Sequence, residues 1–346
     1  MFKKSLSLLL CVFLIGLSGC ATQTPPDNNK SDTKNPTSAT KKDEEEKETK
    51  KQNPLTGLYD LEEGAQYNRP VAVMINNLST AQKVQVGLTS ADIIYETEVE
   101  GGITRLMALY QDISRVGQIG TIRSARYAYV DLAMGHNAMY IHCGTDMTYC
   151  KPHLDDLDSV WIEDNECGGK RISNGLSREH TLYAYGDKVW EGLGAKGFDL
   201  KNSSVKLWQN FSGKNESVIP SDVAATNITV PFSNSYKTVF TYDESAERYT
   251  VGTRKDANTG EAVTVKNVFI LKTSISNYPD GTHKKVGLES GTGYYISNGR
   301  VLNINWSKGK AGNGFTFTTD NGYPISVNAG NSWVCIVNKN NNVTIK

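Results

Sequence analysis

The chain has 346 residues, of which 37 are lysine or arginine and 37 are aspartate or glutamate, so its formal net charge is zero. A hydrophobic content of 38% and an aromatic content of 9% are ordinary for a globular protein. The balanced charge and the lack of a basic stripe interleaved with aromatic residues argue against a nucleic-acid-binding protein.

The N-terminus has the pattern of a bacterial lipoprotein signal. Two lysines precede an apolar run over residues 6–17, and about 12 residues are too few to span a bilayer as a helix. Leu17-Ser18-Gly19-Cys20 then places small residues before a cysteine whose thiol can carry a diacylglyceryl group. We therefore expect residues 1–19 to be a signal peptide and Cys20 to be the lipid-modified residue. The lipid on Cys20 would hold the protein at the extracytoplasmic face of the cell membrane.

The segment that follows, residues 20–53, is polar and contains a mixed run of lysines and acidic residues. It has almost no apolar side chains to offset the entropy of ordering, so it is expected to be a disordered tether. As a flexible coil its reach would be roughly 30 Å.

Residues 54–195 are predicted to form an N-terminal α+β domain of the α/β type, because short apolar runs alternate with helical patterns. A helix is expected over residues 124–134 with Ser124 as its N-cap, and another over residues 177–193. A short helix interrupted near Pro152 is expected within residues 145–157. Strands are predicted over residues 71–75, 92–96 with an extension to 98, 103–110 and 138–142.

After a junction at residues 196–225, the pattern changes to alternation with a period of two. Turn signals such as Asp320-Asn321-Gly322 separate the alternating runs. Residues 226–346 are therefore predicted to be a β-rich antiparallel domain, a sandwich or a barrel. The predicted strands are residues 238–242, 248–253, 265–272, 293–296, 301–306, 315–318 and 332–337.

Four cysteines remain after Cys20, namely Cys143, Cys150, Cys167 and Cys335. The first three could include one disulfide, could be free thiols or, with His142 and His153, could form a metal site, although their spacing does not match the usual zinc motifs. Cys335 lies in an apolar strand-like run and is expected to be a buried, inert thiol.

Charged residues in the N-terminal half suggest a ligand site. Glu96, Glu98 and Glu100 alternate, so on an extended strand all three would point to one face and would need partners. Arg105, Arg123 and Arg126 are the candidate partners, and their guanidinium groups also suit a carboxylate or a phosphate. The residues alone leave open a structural ion-pair network or an anion site.

A second group consists of Arg178, Glu179 and His180 at an expected helix start, where acid–base chemistry and helix capping are both conceivable. His142 is the last residue of a predicted strand, and ligands often bind at strand ends. The strong enzyme signatures are missing from the sequence: it has no nucleophile elbow, zinc-binding H-E-x-x-H helix or P-loop. No cofactor, metal ion or catalytic residue is therefore assigned.

Six segments carry a resemblance to a known family, namely residues 69–77, 91–96, 101–105, 120–126, 179–183 and 322–337. In these segments the chain is similar to the YerB-like lipoproteins of Gram-positive bacteria. The resemblance implies two tandem domains of uncharacterised function, the second β-rich, and supplies no catalytic residues.

These observations favour a non-enzymatic, membrane-tethered envelope protein that binds a cell-wall polymer or a protein partner of the peptidoglycan machinery. Its expected site is the polar face around Glu98, Glu100, Arg105, Arg123 and Arg126. The alternative is a cell-wall hydrolase that uses a glutamate, or Glu179 with His180, as general acid–base. Solute capture for a transporter is a weaker third interpretation, because it would require two similar α/β lobes.

Overall fold

The computed structural model describes residues 50–346. The predicted signal peptide, Cys20 and the tether up to residue 49 lie outside the described residues. The predicted tether extended to Asn53, but Lys51–Gln52 form a strand that pairs with Tyr59–Leu61, and Asn53 is buried. Ordered structure is therefore present before the expected boundary.

Ten strands and three α-helices lie within residues 50–195. The helices are α1 (Ser79–Gln82), α2 (Tyr127–Gly135) and α3 (Gly186–Ala195), with short 3-10 helices at Ala65–Tyr67, Leu88–Ser90, Ile113–Arg115, Lys151–Asp156 and Arg178–His180. The strands are β1 (Lys51–Gln52), β2 (Tyr59–Leu61), β3 (Val71–Asn76), β4 (Ile93–Glu98), β5 (Thr104–Tyr110), β6 (Gln118–Gly120), β7 (Met139–His142), β8 (Ser159–Trp161), β9 (Gly169–Arg171) and β10 (Leu182–Tyr185).

The remaining strands follow residue 226, and the described structure as a whole is mostly β. They are β11 (Asn227–Pro231), β12 (Lys237–Asp243), β13 (Arg248–Lys255), β14 (Ala262–Val265), β15 (Asn267–Thr273), β16 (Ile275–Asn277), β17 (Lys284–Val286), β18 (Ser290–Ser297), β19 (Arg300–Ser307), β20 (Thr316–Thr318), β21 (Ser332–Asn338) and β22 (Thr344–Ile345).

A ten-stranded sheet unites the N-terminal and C-terminal segments. Its order is β20-β19-β18-β15-β21-β4-β5-β3-β7-β8. Strand β21 lies parallel to both neighbours, with Cys335 opposite Ile270 of β15 and opposite Glu96 of β4. The expectation of a purely antiparallel C-terminal sheet is therefore wrong, because its last long strand crosses over to join the N-terminal strands.

Each face of this sheet has its own hydrophobic core, since side chains alternate along a strand. Val71, Val73 and Ile75 face one core together with residues of the five-stranded sheet β14-β13-β12-β11-β22 and of helix α3. Ala72 and Met74 face the other core, which includes helix α2 and aromatic residues after position 300. Burial on both faces explains why the central strands are continuous apolar runs rather than alternating ones.

The predicted strands of the N-terminal half agree with β3, β4, β5 and β7 to within one or two residues. The helix predicted from Ser124 begins only at Tyr127, so Ser124 is not its N-cap. The reason is local pairing: Arg123 N donates to Met74 O and Ala125 N donates to Gly144 O, which holds this segment extended.

The helix predicted over residues 177–193 is wrong for its first half. Arg178–His180 form a 3-10 turn, β10 follows, and only Gly186–Ala195 are α-helical. The side chains of Leu182 and Ala184 point into the core, whereas that of Tyr183 points the other way and accepts a hydrogen bond from Asn174. This alternation with a period of two is that of a strand, although the apolar spacing over residues 177–193 predicted a helix.

Candidate functional site

Arg123 lies on an extended segment held between the ends of β3 and β7. Its backbone N–H donates to Met74 O at 3.0 Å, and its carbonyl accepts from Cys143 N at 3.0 Å. Gly144, with φ of 83°, permits the close passage, because a Cβ atom there would lie 2.8 Å from Ser124 Oγ. Arg123 is thus fixed by two strands of the central sheet, beside the residue that follows β7.

Two further arginines face the same cleft, which has a volume of about 330 Å³. Arg171 donates to Glu163 Oε2 at 2.7 Å, and Arg178, whose side chain is 74% exposed, lies 3.8 Å from the same oxygen. Arg123 pairs with Glu179 at 3.0 Å. We call this the arginine cleft; it is lined by Ile122, Arg123, Cys143, Gly144, Trp161, Glu163, Arg171, Arg178 and Glu179.

The arginine cleft has an excess of positive charge and unused hydrogen-bond donors. Three guanidinium groups face two carboxylates. The Nε atoms of Arg123 and Arg171 are buried and have no hydrogen-bond partner among the described residues. Trp161 presents a half-exposed ring, with 46% of its surface accessible. Such a cleft can bind an anion that also offers a flat or apolar surface.

The carboxylates of the arginine cleft stay ionised, whereas its thiol stays protonated. The Arg123 charge lowers the pKa of Glu179. Burial works against ionisation of Glu163, but its hydrogen bonds from Arg171 and Cys143 lower the pKa overall. Burial, with the Glu163 carboxylate 3.3 Å from the sulfur, raises the pKa of Cys143 to about 11. The thiol is therefore a poor nucleophile near neutral pH.

Arg105 and Arg126 belong to a different arrangement. Glu100 accepts from Arg126 through two bonds, Nε to Oε2 at 2.8 Å and Nη2 to Oε1 at 2.5 Å, and from Arg105 Nη2 at 2.8 Å. Both arginines also donate to backbone carbonyls, of Ser124 and Ala125 respectively. Burial lowers the pKa of Arg105 to about 10, and the nearby Arg126 charge adds to this. The pairing is that of a structural network.

The alternating glutamates differ in their surroundings. Glu98 is 3.0 Å from Lys284 and, with Arg126, lines a narrow space of about 10 Å³. Glu96 is fully buried between the central sheet and the five-stranded sheet. It accepts hydrogen bonds from Asn77 Nδ2, Thr104 Oγ1, Thr238 Oγ1 and Trp333 Nε1, at distances of 2.9 to 3.1 Å. The three glutamates therefore do not converge on one open site.

Both candidate histidines are buried. Asn76 Oδ1 accepts from Leu78 N, so its amide nitrogen donates to His180 Nδ1 at 2.7 Å, and the ring proton lies on Nε2, 3.5 Å from Glu179 Oε1. His142 Nδ1 donates to Gly144 O at 2.8 Å, and burial lowers the pKa of this ring. His180 stands at the edge of the arginine cleft, with its Nδ1 hydrogen-bonded to Asn76 and its Nε2 close to Glu179.

Arg123, Arg178 and Glu179 are among the site residues predicted from the sequence, and the structure brings these three together. Trp161, Glu163 and Arg171 also line the cleft, but they are not among the predicted residues. A signal for two of them was present in the sequence: Gly168-Gly169 predicts a turn between Glu163 and Arg171. Such a turn brings the two opposite charges next to each other, and they form an ion pair in the structure.

Residues 50–346 contain neither a disulfide nor an assembled metal site. Cys143, Cys150, Cys167 and Cys335 are free thiols, and no group of three or more potential metal ligands is assembled in this range. None of the helices in the same range is long and apolar enough to cross a membrane.

Two family models match the chain: the N-terminal domain of a protein of unknown function (DUF3048) over residues 55–199, and its C-terminal domain over residues 228–334. YerB of Bacillus subtilis (strain 168), which is provisionally named a lipoprotein, is 30% identical over 295 residues, covering 82% of this chain and 85% of YerB. A crystal structure of YerB from Bacillus subtilis matches with a TM-score of 0.73 at 28% identity, covering 86% of this chain and all of that one. The similarity to YerB confirms the resemblance to the YerB-like lipoproteins, and the chain belongs to the DUF3048 family.

Proposed function

We propose that this chain is a lipid-anchored protein of the extracytoplasmic membrane face, and that it binds an anionic polymer of the cell wall in the arginine cleft. The observation that supports this proposal most is the convergence of Arg123, Arg171 and Arg178 on one cleft beside the half-exposed ring of Trp161.

The chemistry of the cleft favours an anionic ligand. A guanidinium group presents donors in a planar fork that matches the oxygens of a phosphate or carboxylate. Arg178 is 74% exposed and lies 3.8 Å from Glu163, too far for a hydrogen bond, so its guanidinium donors can meet a ligand, whereas the donors of Arg105 and Arg126 are used by Glu100 and by backbone carbonyls. The ring of Trp161 would add an apolar contact for the ligand's backbone or sugar.

The N-terminal sequence supports the location. Leu17-Ser18-Gly19-Cys20 has the form of a lipoprotein processing site, and the similar YerB protein bears a provisional lipoprotein name. A diacylglyceryl group on Cys20, followed by a polar segment, would keep the folded part close to the inner surface of the wall. Tethering raises the effective concentration of a weakly bound polymer, so modest affinity in the cleft would suffice.

Retention on purified cell walls tests the proposal. The full-length protein in detergent is incubated with walls, either intact or stripped of their phosphate-bearing polymers, and the bound fraction is measured against protein concentration. We expect saturable retention on intact walls. The double substitution Arg123→Ala, Arg178→Ala should weaken it about a hundredfold, because each lost charge-assisted hydrogen bond contributes about 1.5 kcal/mol, or about a factor of ten.

The matched control is Arg115→Ala, which also removes an arginine from an ion pair, here 3.1 Å from Glu62, at a position that does not line the arginine cleft. It should retain full binding. Because Arg178 is largely exposed, Arg178→Ala alone serves as a variant that leaves the fold intact. Equal retention of all variants would refute the cleft assignment, and retention that survives polymer stripping would refute the anionic ligand.

A further inference from the structure

We infer that a second groove, separate from the arginine cleft, binds an uncharged saccharide. It lies between residues 202–210, the end of helix α2 and residues 312–318, and it encloses about 600 Å³. This size is typical of small-ligand sites. We call it the amide groove, after the side chains of Asn137, Gln209 and Asn210 that line it.

The amide groove is almost free of charge. No carboxylate lines it, and Lys206 is its one permanently cationic residue among those described. His136 also lines it, but burial lowers the pKa of this ring to about 3, helped by the charges of Lys308 and Lys206, so the imidazole is neutral. By contrast, the adjoining surface around Arg69 and Asp158 is lined by many charged side chains. A lining with a single charge favours an uncharged ligand, because a charged ligand would lose hydration there and would gain at most the one cation of Lys206.

Amide oxygens in the amide groove are oriented yet remain available. Asn137 Nδ2 donates to Asn202 Oδ1 at 2.8 Å, which leaves Asn137 Oδ1 to accept. Gln209 Nε2 donates to the Phe315 carbonyl at 3.0 Å, which likewise leaves Gln209 Oε1. The Asn210 side chain has no hydrogen-bond partner among the described residues. Groups that both donate and accept complement hydroxyl groups, which do the same.

Aromatic and apolar side chains form the rest of the amide groove. Trp208 packs edge-on against Phe269, with ring centres 5.5 Å apart, and against Phe317. Its indole N–H is buried near the Tyr95 hydroxyl, but it makes no hydrogen bond of good geometry to any described residue. Leu207 is 41% exposed at the rim. Rings and apolar carbons next to amides match the two faces of a sugar, one of C–H groups and one of hydroxyls.

The two sites are separated by the length of strand β7. Asn137 in the amide groove stands just before this strand, whereas Cys143 of the arginine cleft stands just after it. Saccharide binding in the amide groove therefore does not depend on the anionic ligand proposed above, and the two can fail separately.

Titration with a soluble N-acetylglucosamine tetramer tests the inference. Binding to the full-length protein in detergent is measured by calorimetry, and NMR locates the perturbed residues. We expect saturable binding with shifts at residues 207–210, and no comparable binding of an end-capped tetra-alanine peptide. Leu207→Asp, which adds a carboxylate at the rim, should weaken binding at least tenfold.

Ile219→Asp is the matched control, since Ile219 is 68% exposed and does not line the amide groove. It should bind like the unsubstituted protein, as should the double variant of Arg123 and Arg178. Asn210→Ala, an exposed position, gives a second test and should weaken binding severalfold. The inference is overturned if no saccharide binding saturates, if the peptide binds as well, or if Leu207→Asp and Ile219→Asp behave alike.

Discussion

Glu100 binds Arg126 through two parallel hydrogen bonds and Arg105 through a third, so a single carboxylate holds two arginines that come from β5 and from the start of α2. The side chains of all three residues are at most 20% exposed. The ion pair ties the turn between β4 and β5 to the start of helix α2, and it separates these arginines from those of the arginine cleft.

Replacing Glu100 by glutamine should destabilise the protein by about 3 kcal/mol, because it leaves two partly buried guanidinium groups without their counter-charge. Urea unfolding at pH 7 measures the change, and Glu244→Gln, at an exposed position, is the control that should leave the unfolding midpoint unchanged. A loss below about 0.5 kcal/mol would contradict a structural role for this pair.

The same pair should make stability depend on acid pH. Burial opposes ionisation of Glu100, but the Arg126 hydrogen bond and the charges of Arg105 and Arg126 lower its pKa below the usual 4.5. Its stabilising contribution is therefore complete above pH 4.5 and is lost as the pH falls through the lower, folded-state pKa. The difference in stability between the unsubstituted protein and Glu100→Gln should shrink over that range.

Thr238→Val should lower the free energy of unfolding by about 2 kcal/mol, although threonine and valine side chains have nearly the same shape. The hydroxyl of Thr238 lies 2.9 and 3.1 Å from the two oxygens of Glu96, which is fully buried and depends on its donors. Thr241→Val, on the exposed side of the same strand, is the comparison. Equal unfolding midpoints for the two variants would show that Glu96 does not need this donor.

Cys143 should react slowly with iodoacetamide at pH 8, because burial and the Glu163 carboxylate raise the pKa of its thiol to about 11. Glu163→Gln removes the negative charge beside the sulfur and should accelerate alkylation severalfold. Mass spectrometry of the digested protein measures the modified fraction at Cys143, with the buried Cys335 as an internal reference. An unchanged rate at Cys143 would mean that burial alone controls its reactivity.

His136 should remain neutral in the folded protein down to about pH 4, since burial lowers its pKa to about 3. Because an unfolded histidine takes up a proton near pH 6.5, this residue stabilises the fold fully above that pH and progressively less as the pH falls towards 3. The NMR resonance that disappears in His136→Gln should not shift between pH 8 and pH 4. Titration near pH 6.5 would contradict the neutral lining of the amide groove.

The sequence by itself determined the local elements whose pattern is complete within a few residues. The apolar runs at Val71–Asn76, Ile93–Glu98 and Thr104–Tyr110 are strands because β-branched and aromatic side chains fill both faces of a buried sheet. It also supplied the lipoprotein pattern at Cys20 and the resemblance that the family matches confirm. Where one segment carried two patterns, as around Leu182, local spacing predicted the wrong element.

Only the tertiary structure decided how these elements combine. Strand β21 pairs with β4, so that Cys335 lies opposite Glu96, and no local pattern encodes a pairing between residues so far apart in the chain. The roles of the arginines were decided in the same way. Arg123 and Arg126 are three residues apart, yet one faces Glu179 and the other Glu100. The electrostatic energy of a charged side chain depends on its distance from other charges and on its burial. Folding sets both, so the order of residues in the sequence does not determine them.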